Sequence, residues 1–302
     1  FVEGDFNQST GLASGNGVTG FGNQADGNFT GNLVTGDINQ AASFTCGGTP
    51  YFVKWSANAP PAMFPAEAYG LRLLREAGAL RVPGVIAQGD ADGACPAFLV
   101  LEWIETGGAR SDRAMEAFGA GLAGLHRHTA EQHGLDQDNF IGRLPQPNTP
   151  TARWSEFYAR QRIGFQMALA RRNGRLPARR EDLLTRLIDR LPDLLDDGAI
   201  RPSLLHGDLW GGNYLLDDRG QAVLIDPAVC YGHREMDLAM SELFGGFSQR
   251  FYDAYHAAYP LDGYEERRAL YQLYYILAHL NLFGESYGGR VDSIAAHYVG
   301  RG

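Results

Sequence analysis

The stretch Leu205-His206-Gly207-Asp208-Leu209-Trp210-Gly211-Gly212-Asn213, followed by Val223-Leu224-Ile225-Asp226-Pro227, limits this chain's folds more than any other. Asp208 and Asn213 lie five apart, and Asp226 comes thirteen residues after Asn213, at the end of an apolar run. An acid, then an amide, then a second acid closing a strand form a layout for phosphoryl transfer. The first acid accepts a hydroxyl proton, and the amide and second acid give oxygens to magnesium. Residues 214–221 read as a strand, a turn and the start of another strand. That hairpin would return Asp226 to the side of Asn213. Taken singly, each of the three residue types is more often a solvated surface group. The ordered set with its spacing is far harder to reach by chance.

The length of 302 residues allows one large domain or two lobes, with ample core. A hydrophobic fraction of 44% and a charged fraction of 20% fit a globular chain, and no run of 18 apolar residues offers a membrane span. Phe1-Val2-Glu3-Gly4 is not a basic region leading into an apolar stretch, so no secretory signal is expected. Cys46, Cys95 and Cys230 are odd in number and lack zinc spacing, which suits a reducing cytoplasm. A net charge of −9 argues against nucleic acid as a partner. Of the 26 basic residues only Lys54 is a lysine. Arginine-rich composition explains the bias but not the place of the exception, since a compact ammonium and a guanidinium do not substitute for each other at a phosphate site.

Residues 1–33 form a Gly/Asn-rich leader without helical periodicity, irregular or made of short turn-rich strands. Next, the turn Gly36-Asp37-Ile38-Asn39-Gln40 separates two β-like runs without the full G-x-G-x-x-G. Ala41 to Cys46 reads as a strand, Gly47-Gly48-Thr49-Pro50 as a hairpin turn, and Tyr51 to Trp55 as a strand displaying Lys54. A Gly-bearing turn over phosphates, then a strand lysine, is the nucleotide-binding scheme of kinases. It marks Gly36, Asp37, Asn39 and Lys54 as nucleotide contacts. Met63 to Ala77 is an amphipathic helix whose Glu67 is either the ion-pair partner of Lys54 or an acid favoured by the helix dipole. Val85 to Gly89 and Ala97 to Ile104 are strands, the second apolar throughout and expected to be buried on both faces. It ends at Glu105-Thr106-Gly107-Gly108, a boundary between an N-lobe of 34–105 and a C-lobe of 106–302. Glu102 and Ile104 would meet adenine through their main chains.

In the C-lobe a helix spans 111–128, with Ser111 or Asp112 as its cap. His126, His128 and His133 cluster near its end but lack an acid or cysteine spaced to complete a metal site. Residues 136–150 read as an extended loop, and 151–173, 179–195, 236–259 and 264–287 as helical, with Phe244-Gly245-Gly246-Phe247 interrupting the third of these. Asp237 is expected to brace the catalytic loop. The stripe Tyr271, Tyr274 and Tyr275 is core, and His279 is its member facing a polar pocket. The fold class is α+β: a bilobal, protein-kinase-like fold with a small β-rich N-lobe and a mostly helical C-lobe.

These motifs together resemble the fructosamine/ketosamine kinase family, a branch of the kinase-like fold that includes aminoglycoside and choline kinases. The resemblance rests on Gly36–Gln40, Tyr51–Lys54, Met63-Phe64 with Glu67, Leu101–Glu105, Asp138-Asn139-Phe140-Ile141-Gly142, Leu205–Asn213, Ile225–Ala228, Tyr231-Gly232-His233 and Leu243–Phe247. It implies ATP-dependent phosphorylation of the sugar 3-hydroxyl of free or protein-bound ketosamines. The unstable product then releases the amine, a deglycation. By position it makes Asp208 the base, Asn213 and Asp226 the magnesium ligands and Lys54 an ATP contact, and it places Trp210 and His279 at the sugar-amine site. One departure stands out: residues 1–33 do not read as the helix that members usually place ahead of the first strand. The rival readings are another small-molecule kinase of this fold, acting on an aminoglycoside, choline or homoserine, and a non-catalytic nucleotide-binding protein. All four polar catalytic positions are filled, which counts against the last.

Overall fold

The computed structural model describes residues 34–35, 40–92 and 95–300. The leader 1–33 and the turn holding Gly36, Asp37 and Asn39 lie outside the described residues. Five antiparallel strands form one sheet: β1 (Val34–Thr35), β2 (Gln40–Cys46), β3 (Thr49–Ser56), β4 (Val85–Gly89) and β5 (Ala97–Glu102), in the order β1-β2-β3-β5-β4. Gly47 and Gly48 both take positive φ, as a two-residue hairpin turn requires, and Cys46 pairs directly with Thr49. Helix α1 (Met63–Ala77) buries Phe64, Ala68, Leu71 and Leu74 at helical spacing against the sheet and ends on left-handed Gly78. Burial in β5 alternates, with Ala97, Leu99 and Leu101 inside and Phe98, Val100 and Glu102 half-exposed. The expected two-faced burial is therefore corrected: this is an antiparallel sheet packed on one face.

The rest is mostly helical. Helix α2 (Asp112–Leu125) is capped by Ser111, whose Oγ accepts the Ala114 N–H at 3.2 Å. The stretch expected as a loop contains a small hairpin, β6 (Asn139–Ile141) with β7 (Leu144–Gln146). Helix α3 (Trp154–Phe157) continues through a π-helical turn, Tyr158–Gly164, into α4 (Phe165–Arg172), and α5 (Ala178–Leu194) follows. Strand β8 (Ser203–Leu205) pairs with β11 (Cys230–Gly232), and β9 (Tyr214–Leu216) pairs with β10 (Ala222–Leu224). Helices α6 (Glu235–Leu243), α7 (Gln249–Ala258), α8 (Tyr264–Phe283) and α9 (Gly288–Val299) complete the chain. The sequence reading did not foresee α9. Helix α8 is the hub: Tyr271, Tyr274, Tyr275 and their apolar neighbours are buried against α4, α6 and α9. Among the described residues no helix is long and apolar enough to cross a membrane.

Arg81, between α1 and β4, ties the sheet to the helical part. Its guanidinium donates to Asp217 at 2.6 Å and to Glu102 at 2.9 Å, and its carbonyl accepts the Leu224 N–H. Burial alone would raise the Asp217 carboxyl, but main-chain donors and Arg81 outweigh it and hold it below the ordinary carboxylate range.

Candidate active site

The loop carrying Asp208 leaves β8 and is fixed from below. Asp237, fully buried in the first turn of α6, accepts the His206 N–H at 2.7 Å on one carboxylate oxygen and the Gly207 N–H at 2.8 Å on the other. His126, at the end of α2, reaches the same carboxylate at 3.2 Å with Nε2 and meets the Tyr255 hydroxyl at 2.8 Å with Nδ1. Burial lowers the pKa of this imidazole, so it is neutral, and the network assigns the proton to Nε2. Gly207 has φ +85°, and a Cβ there would lie 1.9 Å from the Ala228 carbonyl oxygen, so no other residue fits. Tyr275 on α8 donates its hydroxyl to the Gly207 carbonyl at 3.0 Å.

His206 joins the two halves of the site. Its Nδ1 accepts the Asp208 N–H at 3.3 Å, and its Nε2 contacts the Ile225 carbonyl at 2.9 Å, one residue before Asp226. Burial lowers its pKa, and the neutral ring can accept on one side and donate on the other. The Ile225 N–H donates to the Asn213 carbonyl at 3.1 Å, and the Asn213 side-chain amide donates to Asp208 through its carbonyl at 2.8 Å and its carboxylate at 3.1 Å. The β9–β10 hairpin thus brings Asn213 and Asp226 side by side, as its spacing predicted. Asp226 holds a left-handed φ of 52°, a sparsely populated conformation of the sort kept at functional sites.

Asp226 also meets the sheet. Lys54 on β3 lies 2.6 Å from Asp226 and 2.6 Å from Glu67 of α1, with its side chain only 4% exposed. Of the two readings of Glu67, its position supports the lysine partner. Burial disfavours the ammonium, but the carboxylates of Asp226 and Glu67 outweigh it and hold Lys54 above the ordinary lysine range. Burial pushes the Glu67 carboxyl up to about 7, against the opposing pull of Lys54. Helix α1 reaches this cluster because Gly70 lets it approach closely: a Cβ there would sit 3.1 Å from a Val229 methyl. The loop after Asp226 is pinned in turn by the β6–β7 hairpin. Asn139 donates to the Val229 carbonyl at 2.8 Å, and Gln146 to the Ala228 carbonyl at 3.1 Å.

The remaining sequence-predicted residues among those described fall into two groups. Trp210 and His279 lie on one aromatic surface, bridged by Phe244, whose ring centroid is 6.3 Å from Trp210 and 4.9 Å from His279. Gly212 keeps the Trp210 ring in place, since a Cβ would meet it at 2.4 Å. Glu102 turns its carboxylate to Arg81 and to the Gly84 N–H at 2.9 Å, and its own N–H to the Gly84 carbonyl, while Ile104 is buried beyond it. Among the described residues no three His, Cys, Asp or Glu side chains are grouped to hold a metal. The histidines near the end of α2 are accounted for otherwise, with His126 bracing Asp237 and His133 packed on Trp154. An amide and a carboxylate fit magnesium, a hard cation that takes few protein oxygens and fills its shell with phosphate and water. The sequence reading missed His206, His126 and Tyr275 as parts of the site. Only His206 carried a signal, as the first residue of its His-Gly-Asp triplet.

Comparison with known proteins places the chain in a family. The sequence matches the profile of a family described as fructosamine kinase over residues 19–300, beginning ahead of the first strand and inside the leader. It is 46% identical over 251 residues to a Lactiplantibacillus plantarum protein provisionally named a ketoamine kinase, covering 82% of this chain and 86% of that one. It is 40% identical over 252 residues to the chloroplastic protein-ribulosamine 3-kinase of Arabidopsis thaliana, covering 82% and 76%. The crystal structure of a Thermobifida fusca protein, provisionally assigned as a fructosamine-3-kinase, matches with a TM-score of 0.81 at 36% identity, covering 90% of this chain and 94% of that one. The profile spans nearly the whole chain and both named relatives, at 40% identity or more, cover four fifths of it, so this chain belongs to the fructosamine kinase family.

Proposed function

We propose that this protein is an ATP-dependent ketosamine 3-kinase, which phosphorylates the sugar 3-hydroxyl of a fructosamine or ribulosamine and so starts its deglycation. The observation that carries the reading is the junction at Asp226, where Lys54 arrives at 2.6 Å from the sheet and the Asn213–Asp208 loop is bonded through Ile225. The names of the family and of the relatives support the substrate class.

In this reading the N-lobe is 34–105 and the C-lobe 106–302, with the nucleotide between them. The Glu102 carbonyl and the Ile104 N–H take adenine, Lys54 holds phosphate oxygens, and Gly36, Asp37 and Asn39 belong to the turn above the phosphates. Asn213 and Asp226 would hold magnesium, which when bound neutralises charge on the phosphates. Asp208, its carboxylate steadied by the Asn213 amide, accepts the 3-hydroxyl proton as that oxygen attacks the γ-phosphorus and the bond from that phosphorus to the bridging oxygen breaks, releasing ADP. Trp210 and His279 line the sugar-amine site, where a flat indole can stack on the protonated amine. Burial lowers the pKa of His279, and its Nδ1 meets the Tyr275 carbonyl at 2.7 Å, so the ring is neutral and fixed. The place of action is a reducing cytoplasm.

Phosphorus NMR of the product formed from a ribulosamine or fructosamine tests the reading directly, with a 3-phosphate expected. Asp208→Asn should lower kcat by at least about a hundredfold while leaving nucleotide affinity nearly unchanged. ADP release on an aminoglycoside, choline or homoserine, with none on a ketosamine, would replace this substrate class. Wild-type turnover by Asp208→Asn would remove Asp208 from its role.

A further inference from the structure

Among the described residues three large apolar side chains stand exposed, and two of them, Phe244 at 42% and Phe283 at 53%, flank the same ring, His279. The Phe283 centroid lies 5.4 Å from His279, and Tyr287, just past the end of α8, packs 5.2 Å from His279 on another side. Tyr275, His279 and Phe283 are four apart and share one face of α8. Tyr275 bonds Gly207, the residue before Asp208, so Phe283 stands about 12 Å along the helix from the level of the catalytic loop. A surface of rings therefore runs outward from Trp210 through Phe244 and His279 to Phe283 and Tyr287. These ring contacts include no carboxylate, and the charge of Arg290 acts on His279 from nearby. Such a surface suits the apolar stem carried by the amine, by burial against the rings. It is ill suited to a polycation, which would need acids.

We infer that this rim, outermost at Phe283, selects the amine half of the substrate and favours ketosamines whose amine carries an extended apolar or aromatic substituent, the four-carbon stem of a modified lysine included. The inference rests on the ketosamine reading above and adds the part of the substrate that lies beyond the sugar. With the sugar at Asp208 in that reading, the rings that begin at Trp210, two residues on, offer the substituent an apolar course.

The test compares kcat and KM for the ketosamines of methylamine and benzylamine in the wild type, Phe283→Ala, Phe244→Ala and Phe283→Trp. The wild type should prefer the benzylamine substrate by about tenfold in kcat/KM, carried by KM. Phe283→Ala should reduce that ratio to about one, Phe244→Ala should reduce it less, and Phe283→Trp should restore it. An amine-blind wild type, or a Phe283→Ala variant that keeps the preference, overturns the inference and leaves the ketosamine reading standing. Failure of the wild type to phosphorylate either ketosamine overturns both.

Discussion

The Asp208 loop and the Lys54 cluster meet at Asp226 but are held by different means. Beneath Asp208 the contacts are buried main-chain hydrogen bonds to Asp237, a neutral His206 and the Tyr275 hydroxyl. Around Lys54 three charged side chains converge from β3, α1 and the Asp226 turn, and one oxygen of Glu67 is buried without a hydrogen-bond partner. The first arrangement is satisfied and rigid on its own. The second sets one ammonium against two carboxyl groups, and in the proposed function a nucleotide with its cation would complete it. A base must be oriented before the reaction, whereas a phosphate site can gain its last order from the ligand.

The strongest test of that contrast is Asp237→Ala. It strips the acceptor from the His206 and Gly207 N–H groups and from His126, all buried. Chemical denaturation should show a loss on the order of 4 kcal/mol, accompanied by a collapse of kcat. Asp237→Asn keeps an acceptor oxygen and should lose less. Lys54→Met should behave in the opposite manner, weakening MgATP binding by about tenfold or more in calorimetry with a smaller stability loss than Asp237→Ala. If the lysine variant proved the less stable of the two, the division into a rigid loop and a ligand-completed cluster would be wrong.

The titrations sharpen the comparison. Burial lowers the pKa of His126 and His206, takes that of His133 to about 4, and puts that of His233 well below the ordinary value. Below the ordinary histidine pKa of 6.5 the unfolded chain therefore binds more protons than the folded one. This contribution to stability is complete above pH 6.5 and is lost as the pH falls toward 4. Thermal melts across that range should show Tm dropping on acidification, less steeply in His133→Phe. A drop as steep in His133→Phe as in the wild type would mean that this ring is not held neutral; the raised Glu67 carboxyl works in the opposite sense and is common to both proteins.

How much of this was legible in the sequence follows from the range of each interaction. Helix α1 and strand β4 begin and end where their periodicity and flanking residues placed them, because local pattern and burial agree there. The acid-amide-acid set was readable because an eight-residue loop and a short hairpin fix it. The β6–β7 hairpin was hidden: its strands have three residues each, and Pro145 sits in one of them. Its work is done by Asn139 and Gln146 on main-chain carbonyls of residues 228 and 229, a pairing across more than 80 residues that no local pattern reveals. The same holds for His126 and Tyr275, which reach the loop from distant helices. Helix α9 opens on Gly288-Gly289 and has few buried positions, so its pattern is faint.

The smallest expected effect lies at Gly70, where α1 rests on the chain just past Asp226. An added Cβ would meet Val229 at 3.1 Å and 3.3 Å and Pro227 at 3.4 Å, so those side chains or the helix must give by a few tenths of an ångström. Alanine should also stiffen the helix by roughly 0.5–1 kcal/mol relative to glycine, and the two effects oppose each other in stability. They do not oppose each other at the site. Glu67 is three residues away on the same face, and a helix eased off the Asp226 turn carries its carboxylate away from Lys54. Gly70→Ala should therefore leave Tm within a few degrees of the wild type and raise the MgATP dissociation constant by about two- to fivefold, with little change in kcat at saturation. Had the cluster been as self-sufficient as the catalytic loop, so slight a displacement would leave nucleotide affinity untouched, and calorimetry on this one variant distinguishes the two.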